Sequence, residues 1–374
     1  MQQSAWRHFD YWLLGAVAIL TILGVAMIRS TVAENIELAN HPQRQMIFAG
    51  IGFVFVFIAA AIDYHLWASL STTIYVGTVV VLATLYVVGT AAFGSARWFE
   101  AGVINIQPSE IAKIVVILTL SSFFTRNRER IKQFSWLMRS LVMAVGVVIW
   151  ILLQPNMSTS IVIMVLWFAL AWASGMRFQH ILILAGIGLL LILISIPLFP
   201  ILRDAKVINQ YQIDRINNFI APDEAATHGE NYNINQALIS IGSGGLMGQG
   251  YGHGTQVQLR FLKVRWSDFI FSAMANEFGF VGIAVMMLLQ LFVIYRCLRA
   301  ARIAMDTYGA LICFGVATLL AFQGMVNIGV NLRLLPATGL PLPFISYGGS
   351  SLLSLLLGIG LVESVVLRHK VLEF

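Results

Sequence analysis

The chain is poor in charged residues and in cysteine. Only 11% of its 374 residues are charged, whereas soluble domains carry about 25%. Its two cysteines, Cys297 and Cys313, lie in or beside apolar segments, which excludes a disulfide framework and a cysteine-built metal cluster. The net charge of +6 is small for this length, and loop arginines explain it better than nucleic-acid binding does. With 59% hydrophobic residues, the composition predicts a polytopic membrane protein.

Ten apolar runs have the composition of membrane-crossing helices, which need about 20 residues. The first run is too long for a signal peptide and has no small-residue cleavage site. We therefore predict an all-α polytopic fold, a single membrane domain over residues 1–374 with about ten transmembrane helices. The predicted spans are residues 11–28, 46–62, 71–92, 109–124, 135–153, 160–175, 180–198, 269–295, 308–330 and 344–367.

Basic residues set the predicted orientation. Arginines and lysines cluster at residues 126–132, 296–302 and 368–370, and all three clusters are cytoplasmic if the N-terminus is cytoplasmic. The long polar segment at residues 202–268 then forms one large extracytoplasmic loop between spans seven and eight. In a bacterium, we expect a multi-pass protein of the cell (inner) membrane with this loop facing outward.

The loop contains a glycine-rich run, GSGGLMGQGYGHG, at residues 242–254. It is not a phosphate loop, because no Gly-Lys-Ser/Thr follows, and no strand pattern precedes it as in a dinucleotide site. It is either a turn-rich connector or a backbone surface that approaches a ligand closely. Taken alone, the run favours the connector.

Three of the ionisable residues beside or within apolar spans are candidates for the functional site. Glu110 and Lys113 are three apart at the start of span four, so they share a helix face and can pair. A charge in lipid costs at least about 2.5–3.5 kcal/mol, so such residues usually face the interior of a helix bundle and are paired. Glu110 and Lys113 are then either a structural ion pair or a polar floor beneath a substrate cavity, and both interpretations stay open. Asp268 precedes span eight, where a helix N-terminus favours a carboxylate even without any function.

Seven stretches occur in the following order along the chain. They are ARWFEAGVINIQPSEIAK (96–113), the Gln154-Pro155 step, YQIDRINNF (211–219), NYNINQALISIGSGGLMGQGYGHGTQ (231–256), FLKVRWSDFIFS (261–272), NEFGFVG (276–282) and NIGVNLRLLPATGLPLPFISYGGSS (327–351). Together they resemble the SEDS family of bacterial shape, elongation, division and sporulation glycosyltransferases. The resemblance covers nearly the whole chain, and the short tails favour its RodA branch over FtsW and SpoVE.

The resemblance implies polymerisation of lipid II into peptidoglycan at the outer leaflet, for cell-wall elongation and rod shape. The catalytic aspartate of the family matches Asp268, which we expect to act as general base. It would take the proton from the 4-hydroxyl of an acceptor GlcNAc, which attacks the anomeric carbon of a lipid-linked MurNAc and expels polyprenyl pyrophosphate. Ser267 matches the Ser or Thr that precedes this aspartate and is expected at the substrate with it.

Other substrate contacts follow from the same resemblance. Glu110 and Lys113 match paired residues of the family's central cavity, and Arg97 and Arg215 are candidates for binding the pyrophosphate. Anchoring to lipid headgroups explains each of these two arginines equally well. A divalent cation, Mg²⁺ or Mn²⁺, is expected without an evident protein motif to hold it. The expected partner is a class B penicillin-binding protein, a single-span transpeptidase.

The chain departs from the family pattern at five positions. Lys263 and Val264 replace a Pro-Glu pair, Trp266 stands where His is common, Asn156 replaces an aspartate, and Ser158 replaces a glycine. These changes put any accessory role of the missing carboxylates in doubt, but they leave Asp268 in place.

Two other functions fit the sequence. A flippase or transporter for lipid II suits the many spans and the buried charges, although the paired broken-helix repeats of many transporters are not visible. A non-catalytic scaffold that activates a transpeptidase is the third possibility.

Overall fold

The computed structural model describes residues 8–33, 38–93, 99–101, 104–190, 215, 218–219, 221 and 229–369. These residues are nearly all helical, with one short hairpin of strands β1 (Phe99–Ala101) and β2 (Ile104–Ile106). The helices are α1 Tyr11–Thr31, α2 His41–Ala61, α3 Tyr64–Phe93, α4 Pro108–Arg126, α5 Phe134–Leu153, α6 Met157–Ala173, α7 Phe178–Leu190, α8 Gly229–Gly244, α9 Thr255–Gln258, α10 Ile270–Ile303, α11 Thr307–Asn331 and α12 Gly349–Leu367.

Each predicted span overlaps one of these helices. Eight of them are long and apolar enough to cross a membrane, and α6 and α7 are shorter apolar helices. The seventh predicted span extends beyond α7 into residues 191–198, which lie outside the described residues. The protein is therefore a multi-pass membrane protein, and a crossing number of ten stays a prediction. The hairpin is a small departure from the all-α prediction.

The centre of the bundle is formed by α4, α11 and α12. In the 18-residue apolar stretches of α4 and α12, 83% and 89% of the residues are buried, whereas 17% are buried in the corresponding stretch of α10. The peripheral helices leave large apolar side chains exposed, as expected where lipid replaces water as the solvent. Small residues let α12 approach α2 closely, since a Cβ at Gly360 would lie 2.8 Å from the Ala59 Cβ.

The basic clusters all lie at one end of the bundle. Arg296, near the end of α10, donates to Asp10, the N-cap of α1, with a Nε to Oδ2 distance of 2.7 Å. Arg368 follows the end of α12 and donates to the Ala61 carbonyl at 2.7 Å. Asp268 precedes α10 and so lies at the opposite end. Under the positive-inside rule, this arrangement favours an outward-facing Asp268.

Helix α10 is broken at Gly279, where φ is +67° and ψ is −167°. The glycine-rich run fills the break with backbone hydrogen bonds. Phe280 and Val281 donate to the carbonyls of Gly245 and Leu246 at 2.9 and 3.1 Å, and Gly250 donates to the Glu277 carbonyl at 2.9 Å. The run is therefore a connector that satisfies the backbone of a broken helix, which a lipid-embedded protein must do internally.

We predict that Gly279→Ala destabilises the fold. The backbone conformation is nearly restricted to glycine, and an added Cβ would lie 2.3 Å from the Gly248 nitrogen. The conformational strain alone is worth about 1–3 kcal/mol. Thermal unfolding of the detergent-purified protein should show a lower Tm. Gly50→Ala is the control, because Gly50 is in the middle of α2 with open space around it. Equal Tm values for the two variants would contradict the interpretation.

Candidate functional site

A cavity of about 240 Å³ opens at the Asp268 end of the bundle. The N-caps of three helices line it: Gln107 of α4, Asn156 of α6 and Gly348 of α12. Asp268, one residue before the N-cap of α10, lines it too. Helix N-termini carry a partial positive charge and unsatisfied N–H groups, so four of them around one cavity favour an anionic occupant. The remaining lining residues are Glu110, Ser158, Thr159, Ser267, Gly339, Leu340, Pro341, Tyr347, Ser350 and Ser351.

The Asp268 carboxylate accepts a hydrogen bond from Ser267 Oγ at 2.9 Å. Burial raises the pKa of Asp268, and the Ser267 hydrogen bond and the positive charge of Arg215 oppose this rise. A carboxylate with a raised pKa is a stronger base than ordinary aspartate while still ionised near neutral pH. The site therefore has the chemistry of a general base.

Two asparagines of α11 hold the backbone of Asp268. The side-chain amides of Asn327 and Asn331 donate to the Asp268 carbonyl at 3.1 and 3.0 Å. The Asn331 amide oxygen accepts from the Ser272 hydroxyl at 2.6 Å, and Asn327 also donates to the Leu340 carbonyl at 2.8 Å. This asparagine clamp, Asn327 and Asn331, fixes the start of α10 against α11. The bond between Ser272 and Asn331 joins the two helices directly.

The turn before Asp268 is fixed from two further sides. Ser346 Oγ donates to the Ser267 carbonyl at 2.7 Å, and Tyr347 N donates to the Trp266 carbonyl at 2.9 Å. Arg265 is buried and its Nε donates to the carbonyl of Thr31, at the end of α1, at 2.7 Å. The loop reaches the cavity as a rigid turn, not as a free end.

The predicted pairing of Glu110 and Lys113 is observed, with Lys113 Nζ 2.8 Å from Glu110 Oε2. Both side chains are buried, and Glu110 lines the cavity that Asp268 also lines. The carboxylate thus stands between the cavity and a lysine enclosed in the bundle. This geometry suits a polar floor as well as a structural pair, so a role in substrate binding stays a prediction.

The other predicted residues are placed as follows. Ser267 lines the cavity beside Asp268, and Arg215 is near enough to act on the Asp268 carboxylate through its charge. Arg97 lies outside the described residues. The sequence prediction did not include Asn331 or Tyr347. The spacing of Asn327 and Asn331, four residues apart in an apolar span, is the signal that points to the first of them.

Four of the five departures have structural roles of their own. Asn156 caps α6 by accepting from Thr159 N at 3.2 Å, and it lines the cavity as an uncharged residue. Val264 adopts a positive φ of 51°, which shapes the turn toward Asp268. The ring of Trp266 meets the ring of His41 edge-on at 6.1 Å, and Lys263 lies 5.7 Å from the centre of the Tyr232 ring.

The fold and the cavity define a polytopic helical membrane protein with a buried acidic site where several helices begin. The chain belongs to the FtsW, RodA and SpoVE family, described as "Cell cycle protein", whose profile matches residues 10–371.

The curated relatives include proteins named FtsW and MrdB. The "Probable peptidoglycan glycosyltransferase FtsW" of Hydrogenovibrio crunogenus is 34% identical, covering 100% of this chain and 95% of that protein. The "Peptidoglycan glycosyltransferase MrdB" of Escherichia coli is 32% identical, covering 98% and 95%. A solved peptidoglycan synthase complex, described as coordinating polymerization and crosslinking, contains a chain with a TM-score of 0.79 and 27% identity, covering 96% and 98%. The RodA branch stays a prediction.

We predict that Asn331→Ala lowers the stability of the protein. The change removes a donor to the Asp268 carbonyl and leaves the Ser272 hydroxyl without its acceptor, which costs about 1–3 kcal/mol for buried groups. Thermal unfolding should show the loss as a lower Tm. Asn235→Ala is the matched control, because its described contact is a single hydrogen bond from Arg333 at 3.3 Å. A larger loss in the control would argue against the clamp.

A double substitution distinguishes the two interpretations of the Glu110–Lys113 pair, a structural ion pair and a polar floor for substrate. We predict that Lys113→Met alone lowers the Tm strongly, because an unpaired buried carboxylate costs about 3–5 kcal/mol. Glu110→Gln combined with Lys113→Met should recover most of that loss. If the pair is a polar floor for substrate, glycan synthesis by the double variant stays low despite the recovered stability. Recovery of both would support a purely structural pair.

Proposed function

We propose that this protein is a peptidoglycan glycosyltransferase that polymerises lipid II into glycan strands. The observation that carries the proposal is the half-buried Asp268 carboxylate, held at the wall of a cavity where four helices begin. The names of the FtsW and MrdB relatives support the same activity. The location of the basic clusters at the other end of the bundle supports a reaction at the outer leaflet of the bacterial cell membrane.

In this reaction, Asp268 accepts the proton of the 4-hydroxyl of the acceptor GlcNAc. The hydroxyl oxygen forms a bond to the anomeric carbon of the lipid-linked MurNAc, and the bond from that carbon to the pyrophosphate oxygen breaks. Polyprenyl pyrophosphate leaves with the electron pair. Ser267 orients the carboxylate, and the helix N-termini at Gln107, Asn156 and Gly348 stabilise negative charge in the cavity. Arg215 and Arg97 are the proposed cationic contacts of the pyrophosphate.

A divalent cation is part of the proposal, but the protein supplies few ligands for it. No group of three or more His, Cys, Asp and Glu residues suited to a metal occurs in the described part of the chain. Glu110 is already paired with Lys113, which leaves Asp268 as the remaining carboxylate at the cavity wall, beside neutral oxygen donors such as Ser267 and Asn156. This set fits Mg²⁺ or Mn²⁺ held mainly by substrate phosphates and water. Such an ion would neutralise charge on the leaving pyrophosphate.

The proposed partner is a class B penicillin-binding protein, because a solved relative belongs to a complex that couples polymerization to crosslinking. The RodA-type role in elongation and rod shape is proposed together with this partner. A transporter built from paired repeats would show a second broken helix. Among the described helices, the non-helical residue of α10 has no counterpart in another helix. A flippase and a non-catalytic scaffold remain outcomes of the following test.

We predict that Asp268→Asn abolishes glycan-strand formation from lipid II in the purified protein with its transpeptidase partner and Mg²⁺. An amide has the same shape but cannot accept the proton. Asp306→Asn is the matched control, because Asp306 caps α11 at the other end of the bundle and asparagine caps equally well. Because burial raises the pKa of Asp268, wild-type activity should be complete above that pKa. It should fall as the pH drops through a value above the ordinary aspartate pKa of about 4.

Two results would contradict the proposal. Unchanged strand formation by Asp268→Asn would exclude this carboxylate as the base and favour a scaffold role. Transfer of labelled lipid II across liposome membranes without any strand formation would favour a flippase.

A further inference from the structure

A second cavity, the α1–α2 groove, lies on the outer surface of the bundle between these two helices and measures about 400 Å³. Its walls are mainly apolar, and Ile22 and Met46 are among the lining residues that remain exposed. In a membrane, an exposed apolar groove between two spans is open to lipid chains. The other apolar lining residues are Val25, Ala26, Pro42, Ala49 and Phe53.

The groove carries one cationic side chain at its polar end. Arg29 lines it and is exposed in the last turn of α1. Tyr251, from the glycine-rich run, closes the same end and donates to the Ala26 carbonyl at 2.9 Å. Because Thr31, two residues after Arg29, binds Arg265, this end of the groove is the Asp268 end of the bundle. A guanidinium at that height matches the phosphate of a lipid whose chain lies in the groove.

The groove and the Asp268 cavity lie on opposite sides of the first turn of α2. Pro42 lines the groove, while the ring of the adjacent His41 lies 4.2 Å from the ring of Tyr347, which lines the cavity. Gln45 reinforces this partition by donating to the Ser346 carbonyl at 3.2 Å and accepting from Gly348 N. A lipid in the groove would therefore carry its headgroup to the edge of the proposed reaction site.

We propose that the α1–α2 groove binds the polyprenyl chain of a lipid-linked substrate, with Arg29 facing its pyrophosphate. The inference rests on the proposed function for the identity of the lipid. An ordinary phospholipid has similar chemistry, but the position of the groove beside the cavity favours a lipid whose headgroup is the substrate. The groove thus supplies a membrane-side site that keeps the apolar chain in lipid while its sugar reaches Asp268.

The test uses a benzophenone-bearing polyprenyl pyrophosphate that carries no sugar. Light-induced crosslinks to the purified protein should map to residues 21–29 and 42–53. Met46→Trp, which fills the groove, should reduce labelling at least tenfold, and Val54→Trp, at an exposed position of the same helix outside the groove, should not. Arg29→Gln should weaken labelling by the pyrophosphate probe but not by a neutral polyprenol probe. Arg44→Gln is the charge-matched control, since Arg44 does not line the groove.

Three outcomes would overturn this inference. They are labelling that is unchanged by Met46→Trp and Arg29→Gln, crosslinks confined to other helices, and competition by phosphatidylglycerol equal to competition by unlabelled polyprenyl pyrophosphate. Labelling is measured in Asp268→Asn as well, so binding is scored without turnover. Groove labelling in a wild-type protein that forms no strands with its partner and Mg²⁺ would count against the proposed function alone. Strand formation with no groove labelling would count against the groove alone.

Discussion

The hydrogen bonds from Asn327 and Asn331 to the Asp268 carbonyl are the contact on which the site depends. They hold the catalytic candidate by its backbone and leave its carboxylate facing the cavity. This distinction matters because each hydrogen bond donated to a carboxylate lowers its pKa and weakens it as a base. A residue held through its side chain would be well placed but poorly basic. Here the asparagine clamp provides position, and burial provides basicity, with Ser267 giving orientation.

The break in α10 also depends on hydrogen bonds to backbone groups. With 34 residues, an unbroken α10 would be about 51 Å long, well beyond the roughly 30 Å hydrocarbon core. The break at Gly279 divides the helix into residues 270–278 and residues 280–303, and the second segment alone is long enough to cross the membrane. Its freed backbone groups bond to the glycine-rich run, and glycine is required because backbone meets backbone at van der Waals distance. The buried Glu277 carboxylate, which accepts from Ser30, ties the same region to α1.

The sequence predicts what depends on local patterns and misses what depends on distant contacts. The spans follow from apolar length, and the Glu110–Lys113 pair follows from helical spacing. The hydrogen bond between Phe280 and Gly245 joins residues 35 apart in the sequence, and the one between Asn331 and Asp268 joins residues 63 apart. No local rule specifies either contact. The β1–β2 hairpin was also missed, since strands of three residues carry no periodic signal.

The cavity has few cationic side chains, yet it suits an anionic substrate because of the direction in which its helices run. Helices α4, α6, α10 and α12 all begin at the cavity, so their positive ends converge there and their negative ends lie far away. Arginines such as Arg126 and Arg302 stand in the last turns of α4 and α10, where they compensate those negative ends. The positive partial charges at the cavity thus come from fixed backbone groups. Such groups need no reorganisation when charge develops on a leaving pyrophosphate.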